Sequence, residues 1–125
     1  MLKKQFRLKK NSAFTATYKL KNSMADDYLI VYLGKKKESY EIPTKAAFVV
    51  SKKIHKRAVK RNRIKRLVRE AYRLAWKDGE LDYLSKYLSV IVLAKNKALD
   101  ADYSTLKSSL LYLLKKLVLK VSKTL

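Results

Sequence analysis

Cysteine is absent from the 125-residue chain, which excludes disulfides and thiolate metal sites and fits a reducing compartment. Glycine occurs twice and proline once, so no flexible linker interrupts the chain, and Gly34 and Gly79 lie too far apart to form a phosphate-cradling loop. The single histidine, His55, has no second histidine or cysteine with which to hold zinc and reads as a residue of a basic loop. No Ser/His/Asp set stands out, so no protein active site is expected. The opening MLKKQFRLKK lacks the apolar stretch of a signal peptide, and no segment approaches the roughly 18 apolar residues of a membrane span. Acids are scarce too, ten against 31 Lys and Arg, for a net charge of +21. Self-repulsion on that scale opposes compaction unless a polyanion neutralises it, and nucleic acid is the first candidate.

Apolar residues make up 48% of the chain and include nine tyrosines, enough for one modest core; a single cytoplasmic domain over residues 1–125 is expected. KKNSAFTATYKL offers a cap at Asn11 or Ser12 followed by Phe14 and Tyr18 at i, i+4, a short helix with an aromatic face. YLIVYL (28–33) and AAFVVS (46–51) read as strands, with a link containing Gly34 and Pro43 that suggests a hairpin-like pair. The pattern is helical from about Arg57 to Lys77. A near-continuous apolar strand from Leu88 to Ala94 follows, as expected for a strand in a sheet centre. A last helix, capped at Asp102 or Ser104, places Tyr103, Leu106, Leu110, Leu113, Leu114 and Leu117 on one side. The class is therefore α+β, with a βαβ unit over 46–94 that the general rule would make right-handed. The adjacent Asp26 and Asp27 could attract a divalent ion, though surface acids at a strand entry commonly stay free in solvent.

The helix after residue 57 carries the sharpest signal. At about 100° per residue, Ile64, Leu67, Val68, Ala71, Tyr72 and Ala75 share one arc wide enough to dock on a sheet, while Asn62, Arg63, Arg66, Arg69 and Arg73 lie outside it. Between Lys52 and Arg73 stand eleven Lys or Arg and one acid, Glu70. A solvated face would normally mix signs, because like charges at i, i+4 such as Arg69 and Arg73 repel by a few tenths of a kcal/mol, about 0.2–0.5. An anionic partner removes that cost and adds counterion release at each phosphate contact. Arg61 falls on the apolar side of the wheel, from which it would point into a cleft, run along the sheet edge or snorkel.

VSKKIHKRAVKRNRIKRLVREAYR resembles the signature of the bacterial ribonuclease P protein component, whose hallmark is the RNR triplet, here Arg61, Asn62 and Arg63. RLKKNSAF (7–14) and YLSVIVLAKNKA are similar to that family's N-terminal segment and last strand, so the likeness runs over nearly the whole chain. The resemblance implies a single αβββαβα domain with a central sheet, a fold shared with a domain of a small-subunit ribosomal protein, and a βαβ crossover of the unusual left hand. It implies that the protein holds the catalytic RNA and the single-stranded 5′ leader of precursor tRNA. RNA contacts would then fall to Lys52, Lys53, Arg57, Arg61, Asn62, Arg63, Lys65, Arg66 and Arg69, and the leader cleft to Phe14, Tyr18, Tyr32 and Lys53. Hydrolysis would belong to the RNA with its Mg2+ ions, and the protein would bind no cofactor and need no obligate protein partner. The chain departs from the family pattern at Ala47 and near His55, where glycine is usual, and at Val49, where a small polar residue is usual.

The chemistry suits these roles. Aromatic rings stack on unpaired bases with little sequence preference, and an arginine fork can bind two phosphate oxygens or stack on a base. Each ring also has an ordinary explanation as core packing, and Asn62 one as a local cap. A ribosomal or other structural RNA-binding protein would share the charge without needing an aromatic cleft. A membrane-surface helix would share the basic and apolar pattern, but the sheet is expected to consume its apolar face.

Overall fold

A computed structural model describes residues 3–39 and 41–123. Helix α1 (Asn11–Lys19) is followed by strands β1 (Ser23–Ala25), β2 (Leu29–Leu33) and β3 (Lys45–Val49), then by α2 (Ala58–Lys77), β4 (Ser89–Ala94) and α3 (Tyr103–Lys123). Short 3-10 turns lie at Lys4–Phe6, Asp82–Lys86 and Asn96–Asp100. This is the αβββαβα order.

The four strands form one mixed sheet in the order β1-β2-β4-β3, with β1–β2 and β2–β4 antiparallel and β3–β4 parallel. The expected hairpin-like pair of β2 and β3 does not form, because β4 lies between them. Burial explains the arrangement: Val90, Ile91 and Val92 are all covered, so β4 needs a neighbour on each side and layers on both faces. The long link from 34 to 44 lets β2 and β3 stand apart. The first pairing strand, β1, is three residues long, too short to announce itself by alternation.

The alternation of β2 divides the molecule. Leu29, Val31 and Leu33 are buried and join Val90, Val92 and Ala46 beneath α2 and α3, forming the main core with Leu106, Leu110, Leu113, Leu114 and Leu117 of α3. The α3 stripe matches the expected positions, with Tyr103 half-buried at its start, and its cap is Asp102, whose Oδ1 accepts the Thr105 N–H at 2.8 Å. Tyr32, Ala47, Val49, Ile91 and Leu93 belong to the opposite face, where Leu8 and α1 cover them in part.

Helix α2 buries Ile64, Val68, Ala71, Tyr72 and Ala75, the expected stripe, with Leu67 at its margin and the Tyr72 ring edge-on to Phe48 at 5.4 Å. It stops at Gly79, whose φ of +77° allows the Gly79 N–H to reach the Trp76 carbonyl (3.1 Å) and the Glu80 N–H the Ala75 carbonyl (2.9 Å). Helix α1 is capped differently from the expectation. Lys10, not Asn11 or Ser12, occupies the N-cap, without a side-chain hydrogen bond, and Asn11 is the first helical residue. Among the described residues, no helix is long and apolar enough to cross a membrane.

Candidate nucleic-acid interface

The sheet holds two chemically different surfaces apart. On the α2 side, Asn62 and Arg66 are exposed and Arg63, Lys65 and Arg69 half-exposed around the rim of a helix whose other face is buried. Among the described residues, none of these cations forms an ion pair with a carboxylate, whereas Arg73 pairs with Glu70 and Lys97 with Asp27. Arg73 therefore differs from its neighbours. Its Nη2 meets Glu70 Oε1 at 2.5 Å and its Nε donates to Oε2 at 3.2 Å, which holds the Glu70 carboxyl below its ordinary range. The i, i+3 spacing of Glu70 and Arg73 was the available sequence signal for that pair. Asn62 caps nothing; its side chain makes no hydrogen bond among the described residues and stands in solvent.

The basic loop leading into α2 is built by three residues whose structural role the charge pattern conceals. Ser51 Oγ accepts the Lys53 N–H at 3.1 Å, making a side-chain turn that sets Lys52 and Lys53 outward. His55 Nδ1 accepts the Arg57 N–H at 3.0 Å, so the lone histidine organises the loop rather than dangling from it. Arg61 neither snorkels nor enters a cleft. It turns back along the helix, and its Nη1 donates to the His55 and Lys56 carbonyls, each at 2.8 Å. Arg57 stands exposed at the N-cap. The first turn of α2 carries no acid and no side-chain cap, so its backbone N–H groups add to the positive field there.

On the opposite side, α1 and β2 bring Phe14, Tyr18 and Tyr32 together. The Tyr18 ring stands edge-on to Tyr32 with centroids 4.8 Å apart, and Phe14 follows at 6.5 Å from Tyr18. All three are half-buried against Leu8, Ala47 and Ile91, so each ring has a packed side and an accessible one. Burial raises the Tyr18 hydroxyl above its usual value, with Tyr32 beside it adding to the effect, and Tyr18 therefore stays neutral near pH 7. Val49 and Leu93 share this face and make it apolar. Lys53 stands on the loop that continues from β3 towards α2 and does not join the ring cluster.

Of the two adjacent acids, Asp27 stays exposed, with Lys97 Nζ 3.6 Å from its Oδ2, while Asp26 is held by the fold. Asp26 Oδ1 accepts the Tyr28 and Leu29 N–H groups at 2.8 and 2.9 Å, and its Oδ2 accepts the Ser109 hydroxyl at 2.5 Å. Partial burial works against its charge, but the bonds from Ser109, Leu29 and Tyr28, with Lys95 nearby, outweigh that and hold the carboxyl below its ordinary value. Asp26 thus pins the β1–β2 turn to α3. Among the described residues, no three His, Asp or Glu side chains gather as a metal site.

An uncompensated arginine helix on one side of a sheet and an aromatic patch on the other define an α+β nucleic-acid-binding protein. The ribonuclease P family profile matches residues 2–118. The ribonuclease P protein component of Alkaliphilus oremlandii is 37% identical over 111 residues, 89% of this chain and 90% of that one. That of Clostridioides difficile is 34% identical over 109 residues, covering 87% and 89%. Among solved structures, the Staphylococcus aureus RNase P protein aligns with a TM-score of 0.67 at 33% identity, over 88% of this chain and 93% of that one. The Thermotoga maritima protein aligns with a TM-score of 0.71 at 27% identity, over 88% and 96%. The chain belongs to the ribonuclease P protein family, whose members are accessory subunits of an endoribonuclease in tRNA processing, with catalysis lying with the RNA.

Proposed function

We propose that this chain grips ribonuclease P RNA along the basic face of α2 and the 51–57 loop, and presents the Phe14–Tyr18–Tyr32 surface to the unpaired 5′ leader of precursor tRNA. The observation that carries this reading is the separation of the two surfaces by the sheet: one is rich in unpaired cations, the other in half-exposed rings. Phosphates of a folded RNA call for the first, and bases of a single strand for the second.

Lys52, Lys53, Arg57, Asn62, Arg63, Lys65, Arg66 and Arg69 are the contacts this reading assigns to RNA. Arg61 joins them chiefly by fixing the loop, through the His55 and Lys56 carbonyls. Bringing substrate RNA to catalytic RNA sets two polyanions against each other, and a +21 protein between them lowers that repulsion. Mg2+ at the RNA supplies the hydrolytic chemistry, in the cytoplasm where tRNA precursors are made; the protein positions and neutralises. A purely structural RNA-binding role would use α2 alone and leave the ring surface without a task.

The test is processing of a precursor tRNA by a bacterial ribonuclease P RNA at low magnesium, with and without this protein. Cleavage at the mature 5′ end that depends on the protein is expected. Salt-sensitive RNA binding with no effect on processing would instead establish a structural RNA-binding protein.

A further inference from the structure

Helix α3 turns its leucine stripe to the sheet and to α2, which leaves its outer face in solvent. That face carries charge of one sign. Lys115, Lys116 and Lys120 are exposed and Lys107 half-exposed, and the helix contains no acid from Tyr103 to Lys123. Among the described residues, none of these lysines pairs with a carboxylate. Asp102 and Asp26, which bond to α3, do so towards its N-terminal end: Asp102 caps the first turn, and Asp26 accepts the Ser109 hydroxyl.

Two ordinary explanations fall short. Cations near a helix C-terminus gain from its dipole, but the gain is confined to the last turn, and Lys115 and Lys116 stand about two turns before Lys123. A solvated face would mix signs, because like charges four residues apart, here Lys116 and Lys120, repel each other. Between the lysines the face exposes Tyr112 (54%) and Leu119 (52%), with the Lys116 ammonium 5.1 Å from the Tyr112 ring centre. Ser108, Tyr112, Lys115 and Leu119 follow one another at four- and three-residue steps, so they form one ridge about 16 Å long. α3 packs against α2 on the same side of the sheet, and packed helices lie ~8–10 Å apart, so this ridge runs beside the arginines of α2. A cationic ridge suits phosphates. The wide, shallow minor groove of an RNA duplex adds ribose faces and 2′-hydroxyls, which a tyrosine hydroxyl and an apolar side chain can meet.

We infer that the outer face of α3 is a second RNA contact, in which Lys115, Lys116 and Lys120 meet phosphates of a double-helical segment of ribonuclease P RNA and Tyr112 and Leu119 lie against its minor groove. The inference rests on the proposed RNA-gripping role of α2 and extends the grip to the neighbouring helix. A second copy of the chain fits this face poorly, since +21 would meet +21. A membrane surface would need an apolar helix face to insert, and that of α3 is spent on the core.

The test compares the triple variant Lys115→Ala, Lys116→Ala, Lys120→Ala with wild-type protein in binding ribonuclease P RNA across a salt series. Alanine favours the helix, so the melting temperature should not fall. The slope of log K on log salt is expected to flatten by about 2 to 3, at about 0.9 per duplex phosphate contact, and arginine at the same three positions should keep the wild-type slope. Because the chain has no cysteine, Ser108→Cys supplies a sole thiol for a tethered hydroxyl-radical cleaver, which should cut paired nucleotides of the RNA on both strands. An unchanged slope in the triple variant, or cuts confined to unpaired nucleotides, would overturn this inference alone. So would binding to anionic phospholipid vesicles, or self-association, that the triple variant loses while its RNA binding stays at the wild-type level. Absence of RNA binding by the wild-type protein would overturn the inference together with the proposed function.

Discussion

Gly34 shows how closely the two sides of the sheet are fitted. A methyl group there would come within 2.0 Å of Ser89 Oγ and 3.2 Å of the Ser89 backbone nitrogen. Ser89 cannot simply swing away, since its hydroxyl meets Thr17 Oγ1 at 2.6 Å while Thr17 donates to the Ala13 carbonyl, tying α1 to β4. Gly34→Ala is therefore expected to cost about 1–3 kcal/mol of stability as an overpacked core substitution, and placing it in a Ser89→Ala background should recover part of the loss. Equal melting temperatures for Gly34→Ala and wild type would show that the strand yields without cost. Asp26 gives a second test. Its lowered carboxyl contributes stability that is present above the ordinary aspartate value of about 4 and is lost as pH falls through the lowered folded value. Ser109→Ala should cost about 1 kcal/mol at neutral pH, and the gap from wild type should narrow as the pH falls through the lowered folded value, as urea titrations at neutral and at acid pH would show. The sequence made the charge of Arg61 and the isolation of His55 plain, but not their hydrogen bonds. A side chain's partner depends on where the chain turns, and the turn itself was set by Ser51.

At the scale of elements, α2 was the most legible part because two requirements fall on one helix at different angles. A sheet demands the Ile64–Val68–Ala71–Tyr72–Ala75 stripe, and a polyanion demands Arg63, Arg66 and Arg69 outside it. α3 was legible for the same reason on its apolar side, and its cap at Asp102 held because an Asx side chain is directly bonded to the helix start. Strand pairing was not legible. Alternation in β2 and β3 tells which faces are buried but not which strand lies beside them, and the three-residue β1 carries no period at all. The resemblance supplied the αβββαβα order that local pattern could not. The functional consequence of α2 is measurable: Arg63→Ala, Arg66→Ala and Arg69→Ala combined should leave the circular dichroism unchanged. They should also flatten the dependence of log K for the RNA on log salt by about 2 to 3, from about 0.7 to 0.9 per phosphate contact. An unaltered slope would remove those three arginines from the phosphate contacts.

For the whole molecule, the sheet acts as a partition. Val31 and Val92 face the helices that carry the basic surface, and their neighbours Tyr32 and Ile91 face the rings, so single-residue steps along a strand separate the two tasks. Losing a charge from α2 should therefore spare the ring surface, and losing a ring should spare assembly with the RNA. Phe14 and Tyr18 lie on α1, outside the main core, so truncating either leaves α2 and α3 packed. The most direct measurement is a pair of dissociation constants, for precursor tRNA and for mature tRNA, on holoenzyme assembled with wild-type, Phe14→Ala and Tyr18→Ala protein at fixed salt. The account predicts that each ring lost weakens precursor binding by about 1 kcal/mol or more while mature tRNA, which has no leader, binds as before. Equal losses for precursor and product, or precursor affinity unchanged while the melting temperature falls, would contradict it.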